Sequence, residues 1–116
     1  MKLIIGVLAL IALAGCATPT MPEMRQEGAF ETYSSKKQDE AVAKCVLFAW
    51  QDIRLAGELN TASIQPGREG GYTVTAHGNE YFADVVSAKG KTIVRYYHVG
   101  NSWISERLRP PVKACL

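Results

Sequence analysis

A change of hydrophobic period partway along the chain constrains its fold more than any other feature. Before Gly57, the residues Val42, Cys45, Val46, Ala49, Trp50 and Ile53 recur at steps of three and four. That spacing lines them up on one stripe of a helix. After Gly71 apolar and polar residues alternate, as in Tyr72-Thr73-Val74-Thr75-Ala76, which marks half-buried strands. One helix followed by a run of strands predicts an α+β domain in which an N-terminal helix packs on an antiparallel sheet.

The helix is expected from Ser35 to Ala56. Ser35 and Gln38 fit a capping box, Asp39 and Glu40 suit the positive helix start, and Gly57 supplies a stop. Four strands are expected at Tyr72–Ala76, Glu80–Ala88, Lys91–Val99 and Ser102–Leu108. Gly78-Asn79, Lys89-Gly90 and Gly100-Asn101 would join them as tight hairpins, giving a four-stranded β-meander that Pro110-Pro111 ends.

Two-residue turns fix a register. It sets Asp84 opposite Arg95 and Phe82 opposite Tyr97, then Arg95 opposite Glu106 and Tyr97 opposite Ile104. One row across the sheet would read Thr73, Asp84, Arg95, Glu106, with opposite charges adjacent twice. Tyr72, Val74, Ala76, Tyr81, Ala83, Val85, Val94, Tyr96, His98 and Trp103 fall on one face, which should take the helix. The other face carries the charged row flanked by Phe82, Tyr97, Ile104, Val86, Ile93 and Leu108. Six large apolar side chains there exceed what a solvated face requires. Phe30 and Tyr33 could fold over them, the loop around Ile64 could cover them, or core and surface could be reversed. Otherwise this is a partner surface with Phe82 and Tyr97 as anchors and Arg95 giving specificity.

The N-terminus sets the address. Lys2 gives a positive start, Leu3 to Ala12 form an apolar run too short to span a bilayer, and Leu13-Ala14-Gly15-Cys16 follows. This tetrapeptide resembles the lipobox of bacterial lipoproteins. The resemblance implies diacylglyceryl transfer to the Cys16 thiol, cleavage between Gly15 and Cys16, and acylation of the new amine with a fatty chain such as palmitate. Residues 1–15 would then be a signal peptide, 16–29 a lipidated flexible tether and 30–116 a single domain. Thirteen extended residues could hold that domain up to about 45 Å from the bilayer. Ala17 follows the cysteine in place of Asp. In proteins resembling enterobacterial lipoproteins this implies sorting to the outer membrane, facing the periplasm.

With Cys16 lipidated, Cys45 and Cys115 remain as an even pair in an oxidising compartment. A disulfide between them is expected to staple the helix to the C-terminus and would contribute about 4 kcal/mol in the chain-entropy model. A metal or redox pair is the rival reading, but neither cysteine has a close Cys or His neighbour in sequence.

Charge and motifs narrow the function. Once Lys2 leaves with the signal, 12 of the 13 basic residues face 11 acidic ones, giving no electrostatic case for nucleic acid. The sequence has no Gly-rich phosphate loop, HExxH, GxSxG or CxxC. His77 falls in a hairpin and His98 on the core face, so a serine triad or metal site has little to build on. Asp84 and Glu106, with Arg95 between them, read as a surface ion ladder rather than an acid/base pair. No enzyme activity and no cofactor are expected. The expected function is a lipid-anchored, non-catalytic binding or scaffold module of the cell envelope with an envelope protein partner. The alternative is an inhibitor or exclusion factor against an envelope enzyme, a toxin or a phage, a class that includes prophage-encoded proteins.

Overall fold

The computed structural model describes residues 18–116, and ten short elements lie among them. The expected signal peptide and Cys16 lie outside the described residues. In chain order the elements are α1 (Met21–Glu27), β1 (Glu31–Ser35), α2 (Asp39–Gln51), β2 (Arg54–Leu55), β3 (Glu58–Leu59), β4 (Ala62–Pro66), β5 (Tyr72–Ala76), β6 (Tyr81–Ala88), β7 (Lys91–His98) and α3 (Trp103–Ala114). The class is α+β, as the period change implied. The sheet, however, has five antiparallel strands in the order β1-β7-β6-β5-β4, and β2 and β3 form a small separate hairpin.

The β5–β6–β7 meander has the expected register, with Thr73 opposite Asp84, Asp84 opposite Arg95 and Phe82 opposite Tyr97. Lys89 and Gly90 both take positive φ, as a type I′ hairpin turn demands. At the preceding hairpin His77 and Gly78 take positive φ, one position before the expected Gly78-Asn79 pair.

The fourth strand is a correction. Ser102–Leu108 does not pair with β7; Trp103–Ala114 is helix α3. The Ser102 side chain caps it by accepting from the Ser105 backbone N–H, with Glu106 in the first turn and Lys113 in the last. Ser105, Leu108, Val112 and Cys115 are buried, at the three- and four-residue steps of a helix face. Alternation over Ile104, Glu106 and Leu108 suggested a strand, but Ile104 to Leu108 is equally a helical step. Pro110 and Pro111 lie inside the helix rather than ending a strand. They remove the donors to the carbonyls of Glu106 and Arg107, two exposed residues where water can replace the lost bonds.

β1 takes the vacated place beside β7, with Thr32 opposite Arg95 and Tyr33 opposite Val94. The expected pairs Arg95–Glu106 and Tyr97–Ile104 therefore do not form.

Helices α2 and α3 cover one sheet face. Val42, Val46 and Trp50 of α2 pack with Val74, Val85, Val94 and Tyr96 of the sheet and with Leu108 and Val112 of α3. This is the face the alternation assigned to the core, although Trp103 is exposed. Trp50 Nε1 donates to the Leu108 carbonyl at 2.9 Å and ties the two helices. So does the disulfide Cys45–Cys115, with a Cα–Cα distance of 5.7 Å across 70 residues of sequence. Its Cys115 end is buried, whereas Cys45 sits at the exposed margin of α2. The helix also starts later than expected. Ser35 ends β1 and accepts from the Lys37 N–H, and Gln38 is an N-cap without a side-chain bond.

The second face is covered in part by α1, which lies within the expected tether. Thr20 caps its start by accepting from the Glu23 N–H, and Pro22 occupies its first turn. Gly28, at φ 104°, closes its end by donating to the Met24 carbonyl. Met24 is buried against Phe82 and Tyr97, with Met21, Ala29 and Val99 around them. From Met21 onward the segment is therefore docked structure, not flexible tether. Neither Phe30 with Tyr33 nor the Ile64 loop covers Phe82 and Tyr97.

Candidate functional site: a cleft bordered by arginines

The same helix that buries Phe82 and Tyr97 leaves a cleft beside them. Its floor is the charged row of the sheet, Thr73, Asp84 and Arg95, with Tyr97 and Val86 alongside. Pro22 and Arg25 of α1 form one wall, and the Gly67–Gly71 loop with Tyr72 forms the other. The cleft, open to solvent on one side, has a volume of about 550 Å³, within the usual range of ligand pockets.

Gly71 seats this loop against the sheet. Its φ is 68°, and a Cβ there would stand 2.1 Å from the Val85 carbonyl oxygen, so only glycine brings the loop this close. The opposite wall is held by an ion pair. Arg25 Nε and Nη2 donate to the two Asp84 carboxylate oxygens at 2.7 and 2.9 Å. Thr73 Oγ1 donates to Asp84 at 2.7 Å and accepts from Arg25 Nη2 at 3.3 Å. This bidentate fork is the strong form of the arginine–carboxylate pair. The Asp84 hydrogen bond raises the affinity of Arg25 for its proton against the opposing effect of burial. The Arg25 guanidinium also lies 5.0 Å over the Phe82 ring, which stacks on Tyr97 at 4.6 Å. Burial, then the nearby Asp84 charge, pushes the Tyr97 phenol above its ordinary range.

Arg25 thus takes the partner that the sequence offered to Arg95. Among the described residues the ion pairs are Arg25–Asp84, Lys44–Glu40 and Arg109–Glu31. Arg95 and Arg68 belong to none of them, and both are exposed at the cleft.

The expected partner surface is divided by this arrangement. Asp84, Arg95, Phe82 and Tyr97 share one sheet face, but Phe82 is fully buried and Tyr97 is 5 % exposed, so neither can anchor a partner. Ile104 packs at the edge of the main core on the other side of the sheet. Glu106, on α3, borders a separate, smaller cleft with Glu31 and Arg109. There Arg109 Nη1 donates to Glu31 at 2.8 Å and Tyr33 donates to the same carboxylate. The Tyr33 hydrogen bond, more than Arg109, holds the Glu31 carboxyl below its usual range. Sequence reasoning missed Arg25 and Arg68. Thr20 and Pro22, a helix-start pattern, are the signal that could have found Arg25.

His98 is a structural side chain. Its Nδ1 lies 2.6 Å from Ser105 Oγ, which also bonds the Tyr96 hydroxyl at 2.7 Å. Burial, then the Arg109 charge, holds its imidazolium form below the ordinary range. Ser105 is fully buried, out of reach of a substrate. Among the described residues no group of three His, Cys, Asp or Glu side chains is placed to hold a metal ion.

No protein-family model, no curated protein and no solved structure matches the chain.

Proposed function

We propose that this chain is a lipid-anchored, non-catalytic binding module of the bacterial cell envelope whose working surface is the Arg95 cleft. The carrying observation is that Arg95 and Arg68 stand exposed at a preformed cleft without ion-pair partners among the described residues. An unpaired guanidinium at a cleft gives specificity to a partner that supplies the opposite charge.

The lipobox Leu13-Ala14-Gly15-Cys16 supports the anchor, and Ala17 supports the outer membrane as its site. With α1 docked on the sheet, only the stretch from Cys16 to Met21 separates lipid from folded domain. At about 3.5 Å per residue it reaches at most ~18 Å. The partner is then met close to the bilayer, not at the end of a long tether. Inhibition of an envelope enzyme, toxin or phage would use the same cleft and differ only in the target.

Intact-mass analysis tests the anchor. The native chain should carry diacylglyceryl and acyl mass beginning at Cys16, and Cys16→Ser should carry neither. Acyl mass on the variant would refute the lipoprotein reading. Affinity capture from envelope extract tests the surface: Arg95→Glu should lose the partner while melting as the native protein does.

A further inference from the structure

We infer that the Arg95 cleft takes an acidic peptide segment of its protein partner, with one carboxylate side chain set between apolar residues. The inference rests on the binding-module reading and specifies the chemistry of the partner. Three features of the cleft carry it.

The first is its charge. Arg25, Arg68 and Arg95 face Asp84 and Glu69 in the lining, which leaves one positive charge in excess. Arg25 is committed to both oxygens of Asp84, so that pair is neutral toward an incoming group. A single carboxylate balances what remains. A phosphate dianion would bring a second negative charge against Glu69 and Asp84.

The second is geometry. The Arg95 side chain projects from the same sheet row as Asp84, and its unpaired planar fork matches a carboxylate in two parallel hydrogen bonds.

The third is the apolar share of the walls. Pro22 and Val86, both accessible to solvent, stand in the lining beside the charged groups, so apolar neighbours of the carboxylate gain contact area. The cleft is open to solvent at Arg68 and Glu69, both exposed, which lets an extended chain pass over it. At about 550 Å³ it fits a short segment rather than a folded surface.

The test uses the full chain in detergent micelles and three probes followed by amide NMR shifts. The probes are acetyl-Leu-Glu-Val-amide, the same peptide with Gln for Glu, and inorganic phosphate at matched ionic strength. The Glu peptide should give saturable shifts centred on Thr73, Asp84 and Arg95. The Gln peptide, and the Glu peptide on Arg95→Gln, should bind at least tenfold more weakly. Arg95→Gln should melt with the native protein, which excludes misfolding as the cause. Equal binding of the Glu and Gln peptides would overturn the inference, as would unchanged binding by Arg95→Gln or tighter binding of phosphate. An envelope partner that depends on Arg95, with no Glu-peptide response, would remove the acidic-peptide inference and leave the binding module. A Glu-peptide response without such a partner would keep the carboxylate chemistry of the cleft and remove the envelope partner.

Discussion

Asp84 shows how one side chain ties a helix to the sheet and shapes a cleft wall. Its carboxylate is mostly withdrawn from solvent and takes three donors from Arg25 and Thr73. Removing Arg25 would take away two of those three donors and leave the carboxylate with Thr73 and the neighbouring, solvated Arg95. Arg25→Ala should therefore cost about 1–3 kcal/mol in urea unfolding and open α1 to proteolysis near Met24. An unchanged midpoint would mean that the fork is a solvated pair of little consequence. On the other sheet face burial pushes the Tyr96 phenol up to about 12, above the ordinary tyrosine value of about 10. The unfolded chain ionises first, so this contribution is complete below about pH 10 and is lost as pH rises through 12. Melting temperature should fall across that window, in step with tyrosinate absorbance. A flat profile would contradict the burial of the Tyr96 ring.

The elements differ in how far the sequence announced them. Strands β5, β6 and β7 were legible because β5 alternates, β6 and β7 are rich in β-branched and aromatic residues, and the turns between them carry glycine, and α2 because its apolar stripe is long. Edge strands β1 and β4 were not. Glu31-Thr32-Tyr33-Ser34-Ser35 has one large apolar residue, and Ala62–Pro66 ends in proline and packs only Ala62 and Ile64 on the core. Each is held by pairing with a neighbour, which no local pattern reveals. Helix α1 was hidden because its prolines and glycine read as loop residues, although Pro22 and Gly28 stand where a helix starts and stops. The candidate site was legible only as Asp84 and Arg95. The helix that pairs with Asp84 and frees Arg95 comes from 59 residues earlier. Helix α3 was misread because Pro110 and Pro111 usually end elements. Replacing both with Ala should deepen the helical circular-dichroism signal and raise stability, by roughly 1–3 kcal/mol. Loss of helical signal would instead favour the strand reading of Ser102–Leu108.

At the scale of the whole molecule, two staples bracket the sheet. The Cys45–Cys115 bridge joins α2 to the end of α3, and the Arg25–Asp84 fork joins α1 to the opposite face. The bridge closes a long loop, so Cys45→Ser with Cys115→Ser should lower stability by about 4 kcal/mol, read as a large drop in denaturation midpoint. The fork fixes α1 on the sheet, so that on the proposed lipid-anchor reading only a short stretch would separate the lipid from the Arg95 cleft. The most direct test of that account is site-specific photo-cross-linking in intact cells of the native host. A photoreactive residue is placed at Glu69 on the cleft, or at the exposed Trp103 on α3. The account predicts one discrete membrane-associated protein adduct from position 69, absent from position 103 and lost when Arg95→Glu is added. An adduct from position 103 alone, or one at position 69 that survives Arg95→Glu, would contradict the cleft as the working surface.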